Sequence, residues 1–326
     1  MKTNTSLKII EFLKKNKEAT ATQISEFLGI SYQGTFKQLN KLQVLNLIKK
    51  IGKPPFVFYL LNENIDLAVN TFDIDKKDIE IIEKNYIYFS PAGEVYDGVS
   101  GFIKWCESKK QDVIKTSQEY VKTISKYEKY KKGGFIDGMV KMRATFNSLG
   151  VDELYYFDFY SIERFGKTKL GALLLYAKQS QSVELINKIY EIIKDDFFKF
   201  LKNKDIDAVC FVPPTVSRKI QFQKELEKKL NIKLPHVRIT KIVNQIPVPQ
   251  KTLNKLEDRM ENARSTIFIK EDNVFKNILI IDDGVGSGST INEIALKIKN
   301  KGICSGKIIG LAITCSYNGF DVINEV

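Results

Sequence analysis

One stretch constrains this chain more than any other: Ile278-Leu279-Ile280-Ile281-Asp282-Asp283-Gly284-Val285-Gly286-Ser287-Gly288-Ser289-Thr290. Four consecutive apolar residues read as a strand buried on both faces, the environment of a parallel sheet in an α/β domain. Such a strand delivers the residues after it to the carboxyl edge of the sheet, where open α/β sheets bind ligands. Here those residues are a pair of acids and then a run of small residues that opens a helix. With no bulky side chains in the way, successive backbone amides can converge on a phosphate, and the helix adds its orphan N–H groups and positive dipole end. Asp282 and Asp283, together with Gly286, Ser287, Gly288, Ser289 and Thr290, form the candidate site.

Other phosphate motifs do not fit. The loop lacks the GxGxxG spacing of dinucleotide sites and the Lys of GxxxxGK[ST], and Ser161 to Thr168 only approaches the latter. Around the motif, strand and helix patterns alternate: Tyr155 to Tyr160, the apolar run Leu170 to Ala177, a helix over Val183 to Leu201, strand Ala208 to Val212, a helix over Ser217 to Leu230, strands His236 to Ile242 and Ile278 to Ile281, a helix over Thr290 to Lys299, and strand Lys307 to Thr314. That order predicts an α/β fold around a parallel sheet with flanking helices.

Residue for residue, 278–290 resembles the signature of type I phosphoribosyltransferases: four apolar residues, two acids, three variable positions, then a small hydroxyl residue, Gly, a small residue and Thr. Gln250-x-x-Leu253, Arg259-x-x-Asn262 and Phe268 are similar to the stretch preceding that signature in ComF-type members, with one extra residue between Leu253 and Arg259. Val212-Pro213-Pro214 with Thr215, Ser217, Arg218 and Lys219 resembles the family's pyrophosphate loop, and Lys178 the Lys before its first helix. Gly286 departs from the family's usual Thr or Ala. The resemblance implies that Asp282 and Asp283 hold the ribose hydroxyls of phosphoribosyl pyrophosphate and are the catalytic carboxylates. It implies that 286–290 cradle the 5′-phosphate, that Arg218 and Lys219 bind pyrophosphate, and that Mg²⁺ arrives on the ligand's own oxygens. The implied reaction passes phosphoribose to a nitrogen nucleophile, with the accepting base unread.

The amino terminus carries a different pattern. Three helices are predicted, ending near Lys17, capped at Thr20 or Thr22 and closed by Gly29, and capped at Ser31; two strands come next, Leu47 to Ile51 and Phe56 to Leu60, joined by Gly52-Lys53-Pro54-Pro55. Residues 5–62 resemble the winged helix-turn-helix of transcription regulators. That resemblance implies Tyr32, Gln33, Thr35 and Lys37 as base readers and Lys49, Lys50 and Lys53 as phosphate contacts. A winged helix used for protein contacts alone is the other reading of the same residues. Charge favours DNA: residues 1–63 hold ten Lys against four acids, a net +6 and half of the chain's +12, in a fifth of its length.

The expected organisation is thus an α+β winged helix over 1–63, a helical linker or hood over 64–150, and a phosphoribosyltransferase-like domain over 151–326. In the middle segment, Asp75 to Lys84 and Phe102 to Lys132 read as helices and Ser90 to Glu94 as a turn. Its Lys run reads most simply as a solvated helix face. No apolar run approaches the roughly 20 residues of a membrane span. One histidine (His236) and four dispersed cysteines leave no zinc pattern, so a cytoplasmic protein with reduced thiols and no protein-held metal is expected. Three functions fit: a transferase of nucleotide metabolism with a DNA-binding domain; an inactive sensor of phosphoribosyl pyrophosphate or nucleotide that regulates transcription, similar to purine repressors; and, implied by the ComF resemblance alone, the handling of single-stranded DNA during uptake or defence. A homodimer is expected, because winged helices usually bind paired half-sites.

Overall fold

The computed structural model describes residues 5–44, 47–62, 74–214, 216–242, 248, 252–253 and 255–316, without the side chains of Leu7 and Val44. Two compact units divide at Val121 and Lys122.

The first unit opens with α1 (Thr5–Asn16), β1 (Glu18–Ala19), α2 (Ala21–Leu28), α3 (Tyr32–Val44), β2 (Ile48–Lys53) and β3 (Phe56–Leu61). Thr20 caps α2 through a capping box with Gln23, and Gly29 ends it at φ 64°. The strands form an antiparallel sheet in the order β1-β3-β2. Ile9, Ile10, Leu13, Ile24, Leu39, Leu42 and Tyr59 close one core beneath the three helices and the hairpin. Further along, α4 (Lys76–Asn85), the hairpin β4 (Ile87–Phe89) and β5 (Val95–Asp97), and α5 (Gly98–Ser108) precede α6 (Val113–Glu128). The single helix expected over Phe102 to Lys132 is therefore two. The chain turns at Lys110, whose φ is 53°, and Asp112 restarts it by accepting from the Lys115 amide at 2.7 Å. Ser90 to Glu94 is the expected turn, closing β4 onto β5.

In the second unit the strands are β6 (Lys131–Lys132), β7 (Phe135–Asp137), β8 (Glu153–Phe159), β9 (Ser161–Ile162), β10 (Gly166–Lys167), β11 (Ala208–Phe211), β12 (Arg238–Lys241), β13 (Ile267–Lys270), β14 (Ile278–Val285) and β15 (Ile308–Cys315). Its helices are α7 (Met139–Thr145), α8 (Lys169–Ser180), α9 (Val183–Asn203), α10 (Phe222–Leu230), α11 (Leu256–Thr266) and α12 (Ser289–Lys301). The central sheet runs β11-β14-β15-β8-β7-β6. Its first four strands are parallel, whereas β7 and β6 add on antiparallel. Every residue of β15 is buried, as are Ile278 to Ile281, which is why both read as unbroken apolar runs. Helix α9 buries Leu185, Ile186, Ile189, Ile193, Phe197 and Phe200 at helical spacing, while Ile192, expected on the same face, is exposed.

Three further sequence expectations need correction. His236 to Ile242 does not join the parallel sheet: β12 pairs antiparallel with β13, and only a single bridge links His236 to Val209. The helix expected from Ser217 starts at Phe222. Polar groups on 216–221 bond outward instead, with the Ile220 amide on Gln181 and Arg218 on the Lys178 carbonyl. Finally, the sheet reaches upstream of residue 151, because β6 and β7 complete it.

Candidate functional site

Strand register builds the site. Phe211 pairs with Ile281 and ends β11, whereas β14 continues past it beside β15, Asp282 opposite Ala312 and Gly284 opposite Thr314. The two acids therefore stand at the carboxyl edge, above a gap that the chain leaving β11 fills: the Val212 amide still bonds the Ile281 carbonyl at 2.9 Å, and Pro213 and Pro214 turn into the cleft wall. The cleft measures about 270 Å³ and contains Asp282, Asp283 and all of 284–291.

Its charges suit a bound anion. Lys178 from α8 reaches both oxygens of Asp283, at 3.1 and 3.0 Å. Gln223 Nε2 donates to Asp282 Oδ1 at 3.3 Å, which also accepts the Asp283 amide at 2.8 Å. Burial first, and then the neighbouring charge of Asp283, push the Asp282 carboxyl up to about 7. Burial pulls the Lys241 ammonium below its ordinary value against the attraction of Asp282, and it pulls the Arg259 guanidinium down as well. Four cations, Lys178, Arg218, Lys241 and Arg259, thus share the cleft lining with two carboxylates.

The small-residue loop is held rigidly. Ser287 Oγ and Ser289 Oγ lie 2.7 Å apart and are buried, and Gly288, at φ 86°, caps α12. The left-handed backbone at Gly288 favours glycine, and a Cβ there would fall 2.4 Å from Met142 Sδ and have to displace that side chain. Lys141 Nζ, also from α7, donates to the Gly286 carbonyl at 2.6 Å. Across a trans peptide, that bond turns the Ser287 N–H away from Lys141. Both contacts span more than 140 residues of sequence, and the helix Met139–Thr145 carries no pattern that announces them. Gln223 and Lys241 are likewise site residues that no motif indicated; Lys141, Met142, Gln223 and Lys241 become visible only through the fold.

Among the expected ligands, Asp282, Asp283, Gly286 to Thr290, Arg218 and Lys178 come together around the cleft. Lys219 does not: it is exposed and outside the lining, because the loop before α10 turns its side chain to solvent. Thr215 and Gln250 lie outside the described residues. Leu253 and Arg259 are linked, the Arg259 Nε donating to the Leu253 carbonyl at 2.7 Å. His236 Nδ1 sits 2.9 Å from Glu227 Oε1 and its ring stacks on Phe211; Cys210 and Cys315 are buried. No group of three His, Cys, Asp or Glu among the described residues could hold a metal, and no described helix is long and apolar enough to cross a membrane.

On the first unit, Tyr32, Gln33 and Lys37 are exposed along α3, and Lys49, Lys50 and Lys53 along β2. Thr35 is not available as a base reader. It is wholly buried, with its hydroxyl donating to the Ser31 carbonyl at 3.2 Å, because its place in the helical repeat falls on the core side with Leu39 and Leu42.

No protein-family model matches the sequence, and no curated protein does. Several solved structures are similar to part of the chain, three of them as follows. A hypoxanthine phosphoribosyltransferase from Staphylococcus aureus is 14% identical, over 41% of this chain and 67% of that one, at a TM-score of 0.25. The adenine phosphoribosyltransferase of Leishmania tarentolae is 10% identical over 44% and 76%, at 0.24. That of Trypanosoma brucei, solved with AMP, pyrophosphate and ribose-5-phosphate, is 15% identical over 49% and 73%, at 0.27.

Proposed function

We propose that the second unit binds phosphoribosyl pyrophosphate with Mg²⁺ and transfers phosphoribose to a nitrogen nucleophile, and that the first unit is a winged helix that binds DNA. The observation that carries the transferase reading is the meeting, in one cationic cleft, of an adjacent carboxylate pair with a glycine- and serine-lined loop at the head of a helix.

In this reading the loop 286–290 takes the 5′-phosphate through backbone amides and the Ser287, Ser289 and Thr290 hydroxyls. Asp282 and Asp283 take the ribose hydroxyls. Arg218, with Lys178 beside it, faces the pyrophosphate. The anomeric C–O bond breaks with its electron pair leaving on pyrophosphate, and the nitrogen lone pair forms the new C–N bond. Positive charge that builds on the ribose in between is stabilised by the two carboxylates, and Asp282, whose proton is lost near neutrality, gains that charge as the ligand's cations arrive. Among the described residues the cleft offers a Mg²⁺ ion the carboxylates of Asp282 and Asp283, and ligand phosphates would supply its remaining oxygens. When bound, that ion neutralises charge on the departing pyrophosphate.

Calorimetric titration of phosphoribosyl pyrophosphate with Mg²⁺ into the full chain tests the site, followed by pyrophosphate release against a panel of nucleobases. Binding with release on adding one base identifies a transferase and its acceptor. Binding without release favours the second reading, a ligand-sensing DNA regulator, for which the exposed Lys49, Lys50 and Lys53 beside α3 speak. That reading expects a dimer by light scattering and DNA affinity that falls steeply with salt.

A further inference from the structure

Helix α11 carries a cation where its pattern calls for an apolar residue. Arg259, Ala263 and Thr266 follow one another at spacings of four and three and form the helix's buried stripe. Arg259 is only 5% exposed, and burial lowers its pKa. Placing a guanidinium on a buried stripe is unfavourable unless charge or hydrogen bonding compensates it.

Its place supplies the reason. Arg259 lines the cleft, and its Nη1 lies 3.7 Å from where a Cβ on Gly286 would stand, against the first residue of the phosphate loop. The helix that presents it is locked to the helix that the loop opens. Arg264 Nη2 and Nε reach Glu293 at 3.2 and 3.3 Å, Glu293 is itself buried, and Lys297 of α12 donates to the carbonyls of Arg264 and Ile267. The helix that carries Arg259 is thereby tied to the helix that the loop opens, and the guanidinium is itself held through Nε by the Leu253 carbonyl.

We infer that Arg259 is a direct ligand of the terminal phosphate monoester and selects its dianionic form. Loop amides and hydroxyls can donate to any phosphate oxygen, whereas a buried guanidinium gains most from two charged oxygens on one phosphorus. The inference rests on the phosphoribosyl pyrophosphate reading and adds the residue that distinguishes the sugar phosphate from the pyrophosphate end.

The test uses two ligands on the full chain, ribose 5-phosphate alone and pyrophosphate with Mg²⁺, each titrated calorimetrically into wild type, R259Q and R259K. R259Q should weaken ribose 5-phosphate at least about tenfold and leave pyrophosphate within about twofold, and R259K should recover part of the loss. Wild-type affinity for ribose 5-phosphate should also fall below about pH 6, where the monoester takes up its second proton. Wild type that binds neither ligand overturns the parent reading and this inference with it. Wild-type binding with R259Q unchanged, or with both ligands weakened alike, overturns the inference alone. Should circular dichroism show R259Q unfolded, R259K decides: equal loss for both ligands, or none, overturns the assignment.

Discussion

The two ends of the central sheet both carry acids and treat them in opposite ways. At the amino end, Glu153 accepts from Lys204 at 2.6 Å, Lys307 at 2.7 Å and the Tyr155 hydroxyl at 2.9 Å. Burial alone would raise its pKa, but those three donors bring it down to about 2. Asp152 takes the Ile308 amide and Lys299, and Asp207 takes the amides of Lys276 and Asn277. At the carboxyl end, Asp282 is pushed up instead, beside a second carboxylate and a loop open to the cleft. One end is electrostatically satisfied and stabilises the fold; the other crowds two adjacent carboxylates and four cations around an open cleft and shifts the titration of several of them.

The largest expected effect breaks the carboxyl end. Asp282→Asn combined with Asp283→Asn should abolish calorimetric binding of phosphoribosyl pyrophosphate with Mg²⁺, a loss of at least about a hundredfold, or about 2.7 kcal/mol. The far-ultraviolet circular dichroism should stay unchanged. Retained affinity would remove these acids from the site.

Glu153→Gln attacks the satisfied end and should cost about 2 kcal/mol of unfolding free energy in urea at pH 7, since it weakens charge-assisted bonds to two lysines. The sign with pH comes from the lowered carboxyl: its contribution is present above the ordinary value near 4.5 and is lost as pH falls toward about 2. The gap between variant and wild type should therefore shrink to a minor part of its pH 7 size by pH 2.5. An equal gap at both pH values would show that Glu153 acts through packing instead.

Asp282→Asn alone should show the opposite dependence. A carboxyl raised above its ordinary value stabilises the fold below about pH 4, and that contribution is lost as pH rises through about 7. The variant should melt several degrees above wild type at pH 8 and with it at pH 4. A lower melting temperature at pH 8 would mean that the ionised form is the better accommodated one.

The smallest effect sharpens the picture of the loop. Lys141→Met keeps the bulk of the side chain but removes its bond to the Gly286 carbonyl. Affinity for ribose 5-phosphate should fall about three- to tenfold with little change in melting temperature. No change would show that the loop holds its shape without α7.

Legibility in the sequence tracks how local each determinant is. The strand and the small-residue loop at 278–290 are readable because they are consecutive and each follows from its own local residue pattern. The caps at Thr20 and Gly29 and the hairpin after α3 are readable for the same reason. Thr35 misleads, since one helical position decides between core and surface, and the pattern around it fits either. The strand at His236 to Ile242 is recognisable, but its partner Ile267–Lys270 is not, because pairing depends on two distant segments meeting. Lys219 and Arg218 are adjacent in sequence, and only the turn before α10 sends one to solvent and the other to the cleft.

The sequence by itself therefore determined the type of the central strand, the chemistry of the loop and the basic character of the amino terminus, since all three are properties of contiguous residues. Only the tertiary structure decided which distant cations face Asp282 and Asp283, that a short helix near residue 140 bonds to the loop, and which end of the sheet gathers its acids and cations around a cleft. Those features depend on burial and on contacts between segments more than a hundred residues apart, where the dielectric and the neighbours are set by the packed fold.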